Sequence, residues 1–298
     1  MVNVRSLTIQ SILYANDGHS IVRAAEATAN SVRWAREAGL LGPWTLALGD
    51  CGDVPTLGSL EIDQIKESVE GLGGEFVHVL FGENLGHGGG HNRLAPETSS
   101  ELLLFLNPDA ILAPDTISTL LVAMTAEVGV VDGRQLPLEH PKEFDESTGE
   151  TSWSSGACSL TSRTAFDKVG GFDHDTFFLY CDDVDYSWRL KLAGYAVRHE
   201  PAARVFHDKR LTVAGDIVAS SAEVYYSAEA GLLLAYKYSQ PTIVESILAV
   251  FRKSSEEPLL RAAGEFDRRK SAGILPDPLD PQHDVGQFIR GNYAAHRY

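Results

Sequence analysis

The chain has 298 residues, 44% of them apolar, and a formal net charge of −16. That length and apolar share suffice for one large core, or for a main unit with an appendage. So acidic a surface repels nucleic acid and anionic headgroups, no apolar run is long enough to span a bilayer, and no basic-then-apolar leader opens the sequence. Residues 241–298 carry as many basic as acidic side chains, so the acidic excess lies before them. Cys51, Cys158 and Cys181 are odd in number and lack metal-site spacing, which points to a reducing, cytoplasmic interior.

In chain order, residues 6–14 read as a strand and 20–38 as an Ala-rich helix stopped at Gly39. A strand is expected over 44–48, a helix over 60–72 ended by Gly73-Gly74, a strand over 75–81 and another over 101–106. Residues 114–124 suit a helix with Pro114 near its start. This alternation predicts parallel strands with crossover helices, a doubly wound sheet. After Gly133 the pattern turns irregular, and 137–150 is a polar loop. Further on, 182–193 is helical, 197–206 forms one or two short strands, and 220–238, 241–252 and 256–270 are helices before a Pro-rich extended tail.

The densest cluster of chemistry lies between Gly170 and Arg189. There Asp182, Asp183 and Asp185 fall within four positions, after the aromatic run Phe177-Phe178-Leu179-Tyr180. Carboxylates so crowded repel one another unless a cation, a basic group or a proton is near, and such strain gathers at functional sites. Taken alone, the same three aspartates equally suit the positive end of a helix. Upstream, the apolar run Leu102–Leu106 stops at Asn107-Pro108-Asp109. Asp109 therefore follows the carboxyl end of a strand, where open α/β sheets place ligands. A carboxylate on a short rigid turn suits a hard cation that bridges a diphosphate.

Taken together and in order, these pieces resemble the inverting glycosyltransferases of family 2, in their rhamnosyltransferase-like branch. The resemblance spans about residues 6–210. It rests on Ile12-Leu13-Tyr14-Ala15-Asn16, the strand ending Asp50-Cys51-Gly52-Asp53, and Glu83-Asn84-Leu85-Gly86-His87-Gly88-Gly89-Gly90-His91-Asn92-Arg93. It continues through Asn107-Pro108-Asp109, Trp153-Ser154-Ser155-Gly156-Ala157-Cys158, the Gly-Gly-Phe-Asp to Trp-Arg block and Val205-Phe206-His207. The implied architecture is the α/β GT-A fold, a Rossmann-like mixed sheet flanked by helices. A catalytic unit over 1–212 would be followed by a helical extension and tail over 213–298.

The resemblance also implies roles. Asp183 would be the general base on the acceptor hydroxyl, with Asp182 beside it binding acceptor hydroxyls and raising its proton affinity. Asp185 is expected to cap the helix or pair with Arg189, one turn on. Asp109 would bind a divalent cation, Mn²⁺ or Mg²⁺, with His207 as a further ligand that suits Mn²⁺ better. Asn16, Asp50, Asn84, Gly86, Asn92 and Asn107 would contact the donor, a dTDP- or UDP-sugar, and the Gly-rich turn would receive its diphosphate. Trp153 and Gly156 would wall the site of a saccharide, glycolipid or small glycoside acceptor. His87 and His91 stand four apart, yet no Cys or carboxylate pattern around them predicts a zinc site.

The family often has an Arg-Asn pair in the helix after the His; Glu229-Ala230 stands in the corresponding stretch here. The last third could cover the acceptor site, support a homodimer, or lie against the inner face of the membrane. Two readings from different classes stay open: an inverting transferase, favouring L-rhamnose from dTDP-rhamnose, and an inactive nucleotide-sugar-binding protein of the same fold. A sugar nucleotidyltransferase is disfavoured, because residues 6–20 lack its basic Gly-rich loop.

Overall fold

The computed structural model describes residues 4–139, 142–207 and 219–294. Strands β1 (Arg5–Leu13), β2 (Leu41–Asp50), β3 (Glu75–Leu80) and β4 (Leu102–Leu106) alternate with helices α1 (Gly18–Glu37), α2 (Ser59–Glu70) and α3 (Gly86–Leu94). Next come β5 (Ala110–Leu112), α4 (Thr116–Ala123), β6 (Val128–Leu136), β7 (Cys158–Ser162), α5 (Arg163–Lys168), α6 (Asp182–Leu192) and β8 (Ala196–His207). Helices α7 (Ser221–Lys237), α8 (Pro241–Phe251) and α9 (Glu257–Ala272) complete the order. The expected boundary between 212 and 213 lies outside the described residues.

Among the described residues, one sheet holds eight strands in the order β3-β2-β1-β4-β7-β6-β8-β5. The expected parallel pairing holds from β3 to β4 and again between β6 and β8. It fails at β7, which is antiparallel to both β4 and β6, and at β5, antiparallel to β8. The sheet is thus mixed, as the resemblance implies, and the alternating pattern describes its parallel part. Reversing β7 matters for the site. It brings the start of that strand to the edge where β4 ends, and Asn107 N donates to Ala157 O at 3.0 Å.

The helices bury the sheet on both faces. Along β4, Leu102, Leu104 and Leu106 join the cluster under α1, α2 and α4, while Leu103 and Phe105 join Phe166, Phe172 and Tyr186 on the other side. A strand buried on both faces reads as an unbroken apolar run, as this one does. A further apolar cluster combines Trp153, Phe177, Val184 and Trp188 with residues of α7, α8 and α9. Trp188 is fully buried, its ring 4.6 Å from that of Tyr238.

Candidate active site

The ends of β1, β2, β3, β4, β6 and β8 lie on one edge of the sheet, joined there by the segment before β7. Each supplies a turn. After β1, Asn16 Oδ1 accepts from Tyr14 N at 2.8 Å. After β2, the fully buried Asp50 accepts from Gly52 N at 3.0 Å, Thr56 N at 2.6 Å and Thr56 Oγ1 at 3.0 Å. The Asp50 carboxylate thus shapes its own loop.

Helix α3 contains four glycines in nine residues. Each costs roughly 1 kcal/mol of helix propensity relative to Ala. Their placement explains the tolerance. A Cβ at Gly86, whose φ is +68°, would fall 2.1 Å from Phe178 O, and one at Gly90 would fall 2.6 Å from Ile12. The segment is packed hard against β1 and the 170s loop. Asn84 Oδ1 accepts from Gly86 N at 3.1 Å, and Asn92 clasps the Phe172 backbone with bonds of 2.7 and 2.9 Å. Asn84, Gly86 and Asn92 thus hold this packing together.

The short β5 pairs Ala110 with His207 at the end of β8. That register sets His207 Nε2 3.3 Å from Asp109 Oδ1 and 3.3 Å from Asn107 Nδ2. On the other side of the ring, Nδ1 donates to Gln135 Oε1 at 2.9 Å, and Gln135 Nε2 donates to Ser155 Oγ at 2.8 Å. With Nδ1 carrying the proton, the Nε2 lone pair faces a carboxylate. A bond that fixes the far nitrogen in this way orients an imidazole for a cation. Asp109 has 43% of its side chain exposed, so it can take an outside ligand. No three of His, Cys, Asp or Glu converge on a metal position among the described residues. Asp109 and His207 have the donor chemistry to hold a divalent cation.

Two consecutive residues in left-handed backbone, Tyr180 at φ +65° and Cys181 at φ +57°, swing the chain into α6. Such strain in non-glycine residues costs about 1–3 kcal/mol each and persists where the surroundings enforce it. The turn sets Asp182 and Asp183 at the start of α6. Asp182 is buried, with Oδ2 2.6 Å from His87 Nδ1. Asp183, half-buried, accepts from Gly156 N at 2.9 Å and from Val184 N at 2.8 Å. Burial and the adjacent Asp182 carboxylate push the Asp183 carboxyl above the usual range, against the pull of the Gly156 amide and His87.

Asp185 does pair with Arg189 as expected, at 2.7 Å, and also lies 2.6 Å from Lys237 Nζ and 3.1 Å from Tyr238 Oη. Lys237 also reaches Asp173 at 2.5 Å. The sequence gives no sign that α7 supplies this cation, since 64 positions separate Lys237 from Asp173. His87 was equally hidden: its partner Asp182 lies 95 positions downstream. Trp153 is buried, with Lys142 Nζ 4.4 Å above its ring and Tyr293 at 5.2 Å, so its faces are occupied by protein. Lys142 also pairs with Asp132, beneath which His199 Nδ1 lies at 2.9 Å. Desolvation would raise the Asp132 carboxyl, but Lys142 and the His199 hydrogen bond hold it below the usual range.

Comparison with known proteins places this fold. No protein-family model matches the chain. Among solved structures, it is similar to the mannosyltransferase PcManGT of Pyrobaculum calidifontis in complex with GDP-Man and Mn²⁺, with a TM-score of 0.59 at 16% identity over 91% of this chain and 81% of that one. It is also similar to GalNAc-T7 with UDP, GalNAc and Mn²⁺, with a TM-score of 0.60 at 11% identity over 89% of this chain and 55% of that one. The fold is the GT-A fold of glycosyltransferases. Within it lies a stretch like rhamnosyltransferases, as the motifs imply. It is 41% identical over 68 residues to N-acetylglucosaminyl-diphospho-decaprenol L-rhamnosyltransferase of Mycobacterium tuberculosis, 23% of this chain. Rhamnosyltransferase WbbL of Escherichia coli is 37% identical over 67 residues, 22% of this chain. The matched stretch spans only 22% and 25% of those two relatives. No helix among the described residues is long and apolar enough to cross a membrane.

Proposed function

We propose that this chain is an inverting glycosyltransferase that moves a sugar from a nucleotide-diphosphate donor to a hydroxyl of a saccharide or glycoconjugate. L-Rhamnose from dTDP-rhamnose is the favoured donor, because both sequence relatives carry rhamnosyltransferase names. One observation carries the reading. Of the carboxylates around the 170s loop and α6, Asp173 is paired with Lys237, Asp182 with His87, and Asp185 with Arg189 and Lys237. Asp183 has backbone amides from Gly156 and Val184, and no cationic side chain within ion-pair distance among the described residues. Its proton affinity is raised and its lone pairs are not claimed by a cation, which is what a general base needs.

The step follows. Asp183 takes the acceptor hydroxyl proton as that oxygen bonds to the anomeric carbon from the face opposite the leaving group. The bond from that carbon to the diphosphate oxygen breaks, and its electron pair leaves with the nucleoside diphosphate. Asp109 and His207 would hold the divalent cation, which when bound neutralises charge on the departing diphosphate. Gly156 N fixes the Asp183 carboxylate against the floor formed by Ser154–Ala157, and Asn107 ties that floor to the donor edge.

The test is a screen of the full chain against dTDP-, UDP- and GDP-sugars with Mn²⁺ or Mg²⁺, following release of nucleoside diphosphate. Release from dTDP-rhamnose that stops on chelation supports the reading. Tight dTDP binding with no donor consumed, with or without saccharide acceptors, overturns it in favour of a binding protein.

A further inference from the structure

The Gly-rich helix α3 brings an imidazole to the acidic pair, and nothing in the proposed reaction so far uses it. His87 Nδ1 lies 2.6 Å from Asp182 Oδ2, a short charge-assisted contact. The surroundings leave room for this ring and little else. A Cβ at Gly156 would sit 2.9 Å from His87 Cε1, and a Cβ at Gly88 would sit 3.2 Å from Asp182 Oδ2. Phe172 and His91 pack edge-on against the imidazole, with ring centroids at 5.6 and 4.7 Å. The titratable groups facing His87 are Asp182 and Asp183 from α6 and His91 from its own helix.

Two histidines one turn apart are pushed in opposite directions. His91 is buried with Nδ1 donating to Gln10 Oε1 at 3.1 Å, and burial holds it well below the ordinary imidazole range. Burial also opposes a charge on His87, but Asp182 and then Asp183 outweigh it and raise the imidazole. Environments that push neighbouring groups apart in this way mark assigned roles.

Resting on the transferase reading above, we propose that His87 is a positioning residue. It holds Asp182 in an ion pair, and so divides two adjacent carboxylates into a bound one that faces the acceptor and a free one, Asp183, that receives its proton. Without this cation the two carboxylates face each other uncompensated, and Asp183 holds its proton to higher pH. The same pair clamps α3 to the first turn of α6, which keeps Asp183 on the Gly156 amide.

Two measurements test this. The first needs no activity: NMR titration of the His87 Cε1–H resonance in the full-length protein, assigned by its loss in His87→Gln. The imidazole is expected to titrate above about 6.5 and to fall in Asp182→Asn. Titration at or below the ordinary value, or an unmoved resonance in Asp182→Asn, overturns the pair, whatever the reaction proves to be. The second is the pH profile of kcat/KM for His87→Gln, whose amide still donates to Asp182 but carries no charge. Its acid limb is expected to move up by about one pH unit while the plateau falls less than about tenfold. A uniform fall with an unmoved limb would assign His87 a packing role only. A plateau loss as deep as that of Asp183→Asn would make His87 the base. Either result overturns the proposal. If no donor is consumed by the wild type, the transferase reading fails and the titration still decides the ion pair.

Discussion

Lys237 Nζ lies 2.6 Å from Asp185 Oδ1, joining the far end of α7 to the first turn of α6. Both groups are buried, and Asp173 shares the same ammonium. Removing one partner of a buried pair leaves an uncompensated charge. Lys237→Met should therefore lose about 3 kcal/mol of stability, or more, read as a lower midpoint in urea with an unchanged slope. An unaltered midpoint would show that Arg189 alone suffices for Asp185.

Asp183→Asn keeps the shape and the Gly156 hydrogen bond but removes the proton acceptor. Turnover should fall about a hundredfold or more, with donor affinity spared. Asp182→Asn should act mainly on acceptor KM. Single-turnover kinetics with saturating donor separates the two, and a dead Asp182→Asn beside an active Asp183→Asn would reverse the roles.

The acid limb of the rate should lie above the ordinary Asp value of about 3.9, because Asp183 must be ionised to work and its proton affinity is raised. As pH falls through that raised value, activity is lost. Asp182→Asn removes the repelling neighbour and should move the limb down, opposite to His87→Gln. A pH series of kcat/KM on both variants checks the sign.

Asp109→Ala should abolish Mn²⁺-dependent nucleotide binding without lowering thermal stability, since its side chain is well exposed. Gln135→Leu removes the acceptor that orients His207 Nδ1. It should weaken Mn²⁺ about 10- to 100-fold, measured by the paramagnetic resonance of free Mn²⁺ with dTDP present. Unchanged Mn²⁺ affinity in both would sink the assignment of the cation to this edge.

Buried His91 is held neutral, so the folded state refuses a proton that the unfolded chain accepts. Stability from this group is full above about 6.5 and is lost as pH falls below it. The His87 pair works the other way: it is fully present below that value and lost as pH rises through its raised one. Urea unfolding from pH 5 to 8 should show opposite changes of slope in His91→Gln and His87→Gln.

The alternating half of the sheet was legible because each strand or helix carried its own period. Strand β4 was an unbroken apolar run, and α2 ended at glycines. Strands β6 and β7 were not. Gly133 interrupts β6, and β7 is a buried strand that carries Ser159 and Thr161 inward. Their polar atoms are answered by partners remote in sequence, as when Thr161 Oγ1 donates to Gly129 O at 2.6 Å. Asp182 and Asp183 stood out because they are adjacent. Gln135 and Lys237 acquire meaning only from side chains that folding brings to them, and the spacing that singled out His87 matched it with His91 rather than with its partner Asp182. The glycines of α3 invited a phosphate reading because close packing and anion binding call for the same residue.

The left-handed pair at Tyr180 and Cys181 sets a limit of another kind. An α-helix turns by about 100° per residue. One residue inserted or deleted between Phe177 and Cys181 would therefore rotate the start of α6 and carry Asp183 off the Gly156 amide. The number of residues in this stretch is thus constrained alongside its buried side chains Phe177 and Cys181. Among related sequences, the count of residues from the Gly170-Gly171 turn to the acidic pair should be the invariant quantity.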